Sequence, residues 1–243
     1  MTRQRADLAL VERKIFATRA KAKEAIASGL VRVDGKILRK SSEPIDAKAR
    51  IEASAPYPWV SRGGVKLAAA LDRFGYDPMG RTCLDIGAST GGFSHVLLAY
   101  GAAKVVAVDV GHGQLHPSLL QEPRLRSLEG TDARSLTPAM LGTLPEVLTF
   151  DVSFIPLALV LPNVLRLAAQ GARLVALIKP QFEAGPAHVK KGLVKDAGIR
   201  EEVCMRIARL IEDLGWRAAE PIPSPIEGGD GNFEFLIGAE RAC

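Results

Sequence analysis

The sequence has few of the features that would tie it to a membrane, to export or to metal chemistry. Its longest apolar runs, such as residues 154–160 and 174–178, are broken by proline or bounded by charge well short of the length that crosses a bilayer. No membrane span is expected. Residues 1–20 carry charge throughout and lack the apolar centre of a signal peptide, so export by that route is not expected either. Cysteine is scarce: Cys83, Cys204 and Cys243 are odd in number, scattered, and show no Cys-x-x-Cys spacing. That argues against a disulfide framework and a zinc site, and suits a reducing cytoplasm. His112 and His116 stand four apart but lie among Gly111, Gly113 and Pro117, without the glutamate of a His-Glu-x-x-His helix, so no metal is expected. Internal repeats and low-complexity segments are also missing.

What is present divides unevenly. With 243 residues, 47% of them hydrophobic, the chain can fill one large α/β domain and a small appendage. The net charge is +5, yet residues 1–53 hold 13 Lys/Arg against 7 Asp/Glu while the remainder holds 19 against 20. The positive excess belongs to the N-terminal fifth, the pattern of a nucleic-acid-binding module on a body of ordinary charge.

Within that fifth, Leu8, Val11, Ile15 and Phe16 recur at helical spacing and predict a helix over residues 5–16. A second helix is expected from Thr18, a capping residue, to Ser28, with Gly29 as its stop. Residues 31–38 alternate around Asp34-Gly35, a hairpin signal, and a third strand over residues 49–53 closes the unit. The stretch Thr18-Arg19-Ala20-Lys21-Ala22, followed by Gly29-Leu30-Val31-Arg32-Val33-Asp34-Gly35-Lys36, resembles the αL RNA-binding domain of the ribosomal-protein-S-four type. This resemblance implies RNA binding by shape and phosphate contact, with Arg19, Lys21, Lys23, Arg32 and Lys36 as contacts. The expected domain is residues 1–55, and Pro56 and Pro58 mark residues 56–62 as a short, stiff linker.

Residues 63–243 read as an α/β domain. A helix through about residue 74 carries Lys66 in its first turn, where the helix dipole disfavours a lysine and a functional reading gains weight. Strands are expected over residues 82–86, 104–108, 125–128, 147–150 and 174–178. Helices are expected near residues 93–99, 137–141, 157–167 and 199–214, and two closing strands over 216–221 and 233–239. Such alternation predicts a mostly parallel sheet covered by helices on both faces.

Thr82-Cys83-Leu84-Asp85-Ile86-Gly87-Ala88-Ser89-Thr90-Gly91-Gly92-Phe93 reads as a buried strand, a turn of small residues and a helix start, a place where a cofactor can lie on backbone. The turn is Gly-x-x-x-Gly-Gly and lacks the Gly-x-Gly-x-x-Gly spacing that admits a pyrophosphate. Asp85, Asp109, Asp151 and Lys179 fall at the carboxyl ends of four strands, where open α/β sheets bind ligands. Asp109, 24 positions after Asp85, suits a cofactor ribose, and Asp132 an adenine amino group. An acidic cluster suits the sulfonium of S-adenosylmethionine better than the pyrophosphate of a nicotinamide cofactor. The expected cofactor contacts are Asp85, Gly87, Ser89, Gly91, Gly92, Phe93, Asp109, Val110, Asp132 and Asp151.

Six segments in order carry a second resemblance. Trp59-Val60-Ser61-Arg62-Gly63-Gly64-Val65-Lys66-Leu67, Asp85 to Phe93, Val108-Asp109-Val110-Gly111-His112-Gly113-Gln114-Leu115, Asp151-Val152-Ser153-Phe154-Ile155, Lys179-Pro180-Gln181-Phe182-Glu183 and Gly231-Asn232-Phe233-Glu234-Phe235 resemble the TlyA (haemolysin A) family of ribosomal RNA 2′-O-methyltransferases, in the FtsJ-like class. One departure is Asp132, where the family's Thr-Asn-x-Arg would give Asn. The resemblance implies a Rossmann-like methyltransferase fold with a seven-stranded sheet. It also implies a Lys-Asp-Lys-Glu catalytic tetrad falling on Lys66, Asp151, Lys179 and Glu234, S-adenosylmethionine as cofactor, and ribosomal RNA or ribosomal subunits as partner. Arg62 beside Lys66 is a further expected RNA contact, and Lys190, Lys191 and Lys195 are weaker candidates. Phe154 is read either as a stacking residue or as core. The competing readings are a base methyltransferase, a non-catalytic ribosome assembly factor and a cytolysin. The complete tetrad weighs against the first two, and the missing membrane signals against the third.

Overall fold

The N-terminal helices are shorter than their apolar spacing predicts. The computed structural model describes residues 3–242, apart from the side chain of Asp230, and divides into units of residues 1–58 and 59–243. In the smaller unit β1 (Arg3–Arg5) leads into α1 (Ala6–Glu12), and the chain then breaks through Lys14, whose φ is 57°. Ile15 and Phe16 reach the core from this turn, their amides bonded to the Leu10 carbonyl, because their apolar surface needs burial whether or not the helix continues. Arg13 holds the break by donating to the carbonyls of Asp46, Ala47 and Ala49.

Helix α2 (Arg19–Ala27) is capped by Thr18, whose hydroxyl accepts from the Lys21 amide at 3.2 Å. Strands β2 (Val31–Val33) and β3 (Lys36–Ile37) form the expected hairpin, with Asp34 and Gly35 both at positive φ. Two more strands follow, β4 (Pro44–Asp46), paired with β1, and β5 (Ile51–Ala53), paired with β2. Leu10, Phe16, Ile26, Val31 and Leu38 form the small core.

The larger unit begins at Trp59, so residues 59–62, read as linker, belong to it: Trp59 and Val60 pack on its core, and the Val60 amide donates to His95 Nδ1 at 3.1 Å. Its elements are α3 (Gly63–Phe74), β6 (Thr82–Ile86), α4 (Gly92–Ala99), β7 (Lys104–Val108), α5 (Pro117–Leu120), β8 (Leu125–Leu128), α6 (Pro138–Leu141), β9 (Val147–Phe150), α7 (Leu157–Leu165), β10 (Arg173–Ile178), α8 (Pro180–Glu183), α9 (Ala197–Asp213), β11 (Trp216–Ala218), β12 (Ile222–Pro223) and β13 (Phe235–Arg241). The sheet order is β11-β13-β10-β9-β6-β7-β8, with β12 on the side of β13; β13 runs antiparallel to both of its neighbours, β10 and β11, and the other six strands of the order share one direction.

Alternation along the strands divides the core. Leu84, Ile86, Val106, Val108, Leu148 and Phe150 pack under α7 and α9, while Cys83, Val105, Val147 and Val175 pack under α3 and α4. Cys83 and Cys204 are buried single thiols pushed up to about 12 by desolvation; Cys243 lies outside the described residues.

Candidate active site

The topology gathers the ionic residues at one sheet edge. Asp109, Asp151 and Lys179 each follow the last residue of a parallel strand. Glu234 precedes β13, and because β13 is antiparallel its first residue, Phe235, pairs with Ile178, which sets Glu234 next to Lys179 beyond the same edge. Asp151 adjoins the glycine turn: its amide donates to the Ile86 carbonyl at 2.9 Å. A Cβ on Gly87 would stand 2.6 Å from the Asp151 carbonyl oxygen, and its φ is +82°, so this close crossing of two strand ends requires glycine. Lys66 enters from the first turn of α3.

These groups form two ion pairs. Lys66 Nζ donates to Glu234 Oε2, with both side chains nearly excluded from water. Lys179 Nζ lies 2.7 Å from Asp151 Oδ1 and donates to Ser153 Oγ at 2.8 Å. All five residues line a cleft of about 430 Å³ with Ser61, Arg62, Ser89, Phe93, Phe154, Gln181 and Asn232. Two pairs cancel in charge, which is how this many ions are tolerated out of water.

A second cleft, about 450 Å³, shares Gly87, Ser89, Asp151, Ser153 and Phe154 with the first. Its walls are Ile86, Val108, Val110, Val152 and Ile155, and its polar groups include Asp109, Gln114, Thr131 and Asp132. Asp109 accepts from the Ser89 amide at 2.8 Å and the Gly111 amide at 2.7 Å. Asp132 is held below the usual carboxylate range by its hydrogen bonds from Arg134. Ser89 and Phe154, where the clefts meet, both have positive φ, at 47° and 64°; such strain in side-chain-bearing residues gathers at functional sites.

Three expected features differ. Asp85 does not face either cleft. Strand alternation turns it with Cys83 toward α4, where it is fully buried and accepts from Ser94 Oγ at 2.6 Å and Thr149 Oγ1 at 3.0 Å; desolvation raises its pKa to about 6. Gly91 stands behind the site, where a Cβ would strike Leu119 and Leu115. Phe154 is 90% exposed, so its core reading is corrected. Gly87, Ser89, Gly92, Phe93, Asp109, Val110, Asp132 and Asp151 line one or both clefts. Ser153 and Gln181 escaped sequence reasoning, although both stand in quoted motifs two residues after Asp151 and Lys179, respectively. His116 caps α5 through its ring, and His112 packs on Gly130.

In the smaller unit, Lys23, Arg32 and Lys36 are exposed. Arg19 donates to the buried Asp7 at 2.8 Å, and Lys21 stands 5.0 Å from the Tyr57 ring, its pKa lowered by burial. Arg19 therefore has a structural task as well as an outward charge.

A family profile described as FtsJ-like methyltransferase matches residues 59–241, and one described as S4 domain matches residues 4–51. The chain is 43% identical over 238 residues to the 16S/23S rRNA (cytidine-2′-O)-methyltransferase TlyA of Mycobacterium tuberculosis, spanning 97% of this chain and 89% of that protein. To Hemolysin A of Brachyspira hyodysenteriae it is 38% identical over 221 residues, spanning 90% and 92%. The solved structure of a candidate hemolysin from Streptococcus thermophilus superimposes with a TM-score of 0.79 at 39% identity, spanning 100% of this chain and 90% of that one. The chain belongs to the FtsJ-like methyltransferase family, with the TlyA and hemolysin A proteins as relatives over nearly its whole length, and it carries an S4 domain at its N-terminal end.

Proposed function

We propose that the protein transfers the methyl group of S-adenosylmethionine to the 2′-hydroxyl of a cytidine ribose in ribosomal RNA, in the cytoplasm, with the N-terminal unit selecting the RNA. The observation that carries this reading is the pair of ion pairs, Lys66–Glu234 and Lys179–Asp151, lining a cleft continuous with a second, partly apolar one.

The second cleft fits the cofactor by its donor set. Asp109 keeps lone pairs for ribose hydroxyls after accepting two amides, Val110 and Ile155 offer apolar walls, and Asp132 accepts hydrogen bonds. Gly87, Ser89, Gly92, Phe93 and Asp151 would hold the end nearest the first cleft. When bound, S-adenosylmethionine supplies an electrophilic methyl on a sulfonium. A ribose hydroxyl is a weak nucleophile, so the protein's task is to align its oxygen and manage its proton. Lys179 is the base or hydroxyl-orienting group. Its Nζ is fixed by Ser153 and Asp151, which leaves one position for the 2′-oxygen: an N–H when the amine is charged, the lone pair when neutral. Lys66 and Glu234 hold the ribose and balance charge, Arg62 meets RNA phosphate, and Phe154 offers a stacking face for the target base.

The test is incubation with tritiated S-adenosylmethionine and, separately, each ribosomal subunit and each naked ribosomal RNA, followed by mapping of the product. Label on a cytidine 2′-oxygen is expected; label on a base, or none on any substrate, overturns the reading. The name of the Brachyspira relative raises cytolysis. Among the described residues no helix is long and apolar enough to cross a membrane. Dose-dependent red-cell lysis without S-adenosylmethionine would favour that activity instead.

A further inference from the structure

The rim of the first cleft carries a feature that methyl transfer does not itself require. The chain entering β13 is extended, and alternation turns Asn232 and Glu234 inward, at 8% and 5% exposure, and Phe233 outward, at 54%. The inward pair lines the cleft. The turn before it is locked: Asn232 Nδ2 donates to the Gly229 carbonyl at 2.9 Å and the Gly228 amide to the Asn232 carbonyl at 2.8 Å. Phe233 is thus held in place as an outward ring.

A single exposed phenylalanine needs no explanation. This one has a partner. The Arg200 guanidinium stands 4.4 Å from its ring centroid while donating through Nη1 to the carbonyls of Val194 and Lys195 at 3.2 and 3.1 Å. One arginine therefore joins the ring to the end of the loop before α9. Residues 186–200 contain Lys190, Lys191, Lys195 and Arg200 against a single acid, Asp196. Asp196 is spent on capping α9, accepting from the Gly198 and Ile199 amides. The three lysines are exposed.

We propose that Phe233 and Arg200 form a stacking platform for an unpaired base flanking the target nucleotide, with Lys190, Lys191 and Lys195 meeting the adjoining phosphates. The inference rests on the reading of the protein as an RNA methyltransferase. An aromatic face with a flanking cation and lysines in the loop beside it is the arrangement that binds single-stranded RNA without reading its sequence. Phe154, 90% exposed and 5.0 Å from the Phe182 ring, lines the cleft itself, whereas Phe233 faces outward between two residues that line it. A target nucleotide in the cleft would thus have aromatic surface for itself and for a neighbour.

The test uses the full-length protein with Phe233→Ala, Phe233→Leu and Phe233→Trp variants. Binding of a fluorescein-labelled single-stranded oligoadenylate is measured alongside methyl transfer to the ribosomal substrate. Phe233→Ala should weaken oligonucleotide binding by roughly fivefold or more, the low end of what a stacked base contributes. KM for the ribosomal substrate should rise in step, kcat should hold, and affinity for S-adenosylmethionine should be unchanged. Phe233→Trp should restore binding and Phe233→Leu should not. Leucine matching phenylalanine, binding indifferent to all three changes, or a fall confined to kcat would overturn the proposal; the last would mean that the ring acts through Glu234. Absence of methyl transfer by the unaltered protein on every ribosomal substrate would instead sink the functional reading, and the oligonucleotide binding would still judge the platform.

Discussion

Asp7 and Asp85 are both fully buried, one in each unit, and their surroundings push them in opposite directions. Asp7 accepts hydrogen bonds from Arg5 and Arg19, which hold its carboxyl well below the usual range. Asp85 accepts from neutral donors, the Ser94 and Thr149 hydroxyls and the Ser94 amide, and desolvation raises it to about 6. The smaller unit spends two arginines on Asp7, whereas the larger one gives Asp85 hydroxyls and keeps its buried cations, Lys66 and Lys179, for the cleft, where Lys66 pairs with the buried Glu234. In the small unit charge supports folding and faces outward; in the large one it is arranged around a site.

The sharpest way to test that arrangement is at Lys179. Lys179→Ala should lower the methyl-transfer rate by about 10²–10⁴, the range for a positioned acid–base group, with S-adenosylmethionine binding nearly intact by calorimetry. Unchanged turnover would remove Lys179 from the mechanism. Next comes Lys66. Lys66→Met strands Glu234 without its cation, and breaking a buried pair in this way costs about 3–5 kcal/mol. The double variant Lys66→Met/Glu234→Gln should recover most of that in urea unfolding while staying inactive. Recovery of activity as well would show that the pair only serves folding.

The cleft was more legible in the sequence than its surroundings. Asp109, Asp151 and Lys179 sit where apolar strands stop, and the end of such a run can be counted. Asp85 was misread because it stands one residue before its strand ends; Leu84 and Ile86 share one face, and that alternation already turns Asp85 away from the edge. Glu234 had no periodic signal, since its position follows from β13 running antiparallel beside β10, a long-range pairing. Ser153 joins the site through a contact between separate strand ends, its Oγ accepting from Lys179 Nζ, which no local spacing reports. Local rules found the hairpin at Asp34-Gly35, but α1 was overextended because burial of Ile15 and Phe16 does not require helix.

The two buried aspartates give the comparison a pH signature. The folded-state pKa of Asp85 is raised, so the larger unit is more stable below about pH 4, loses stability as pH rises toward 6, and is level above that. A shift of about two units corresponds to about 3 kcal/mol. Asp7 is depressed and acts the other way: its stabilisation is complete above the ordinary aspartate value and is lost as pH falls below it. Urea midpoints followed by tryptophan fluorescence report the larger unit, because Trp59 and Trp216 both lie there. Asp85→Asn should flatten the decline between pH 4 and 6, and a decline that persists would place its cause elsewhere.

The smallest effects are expected on the surface of the N-terminal unit, where no single cation is indispensable. Lys23 and Lys36 are exposed, and each phosphate contact adds only its share of released counterions. Lys23→Ala or Lys36→Ala should weaken binding to ribosomal RNA by about a few-fold, lower the slope of log K against log salt by about one, and leave kcat unchanged. Arg19→Ala should cost more, because it removes an outward charge and also one of the two arginines that neutralise Asp7. That excess should show in the stability of the small unit, be complete above the ordinary aspartate value, where Asp7 is charged with or without Arg19, and shrink as pH falls below it. If all three variants lowered the salt slope equally and none destabilised the unit, Arg19 would act only as a surface charge. The contrast between the buried acids would then rest on Arg5 alone.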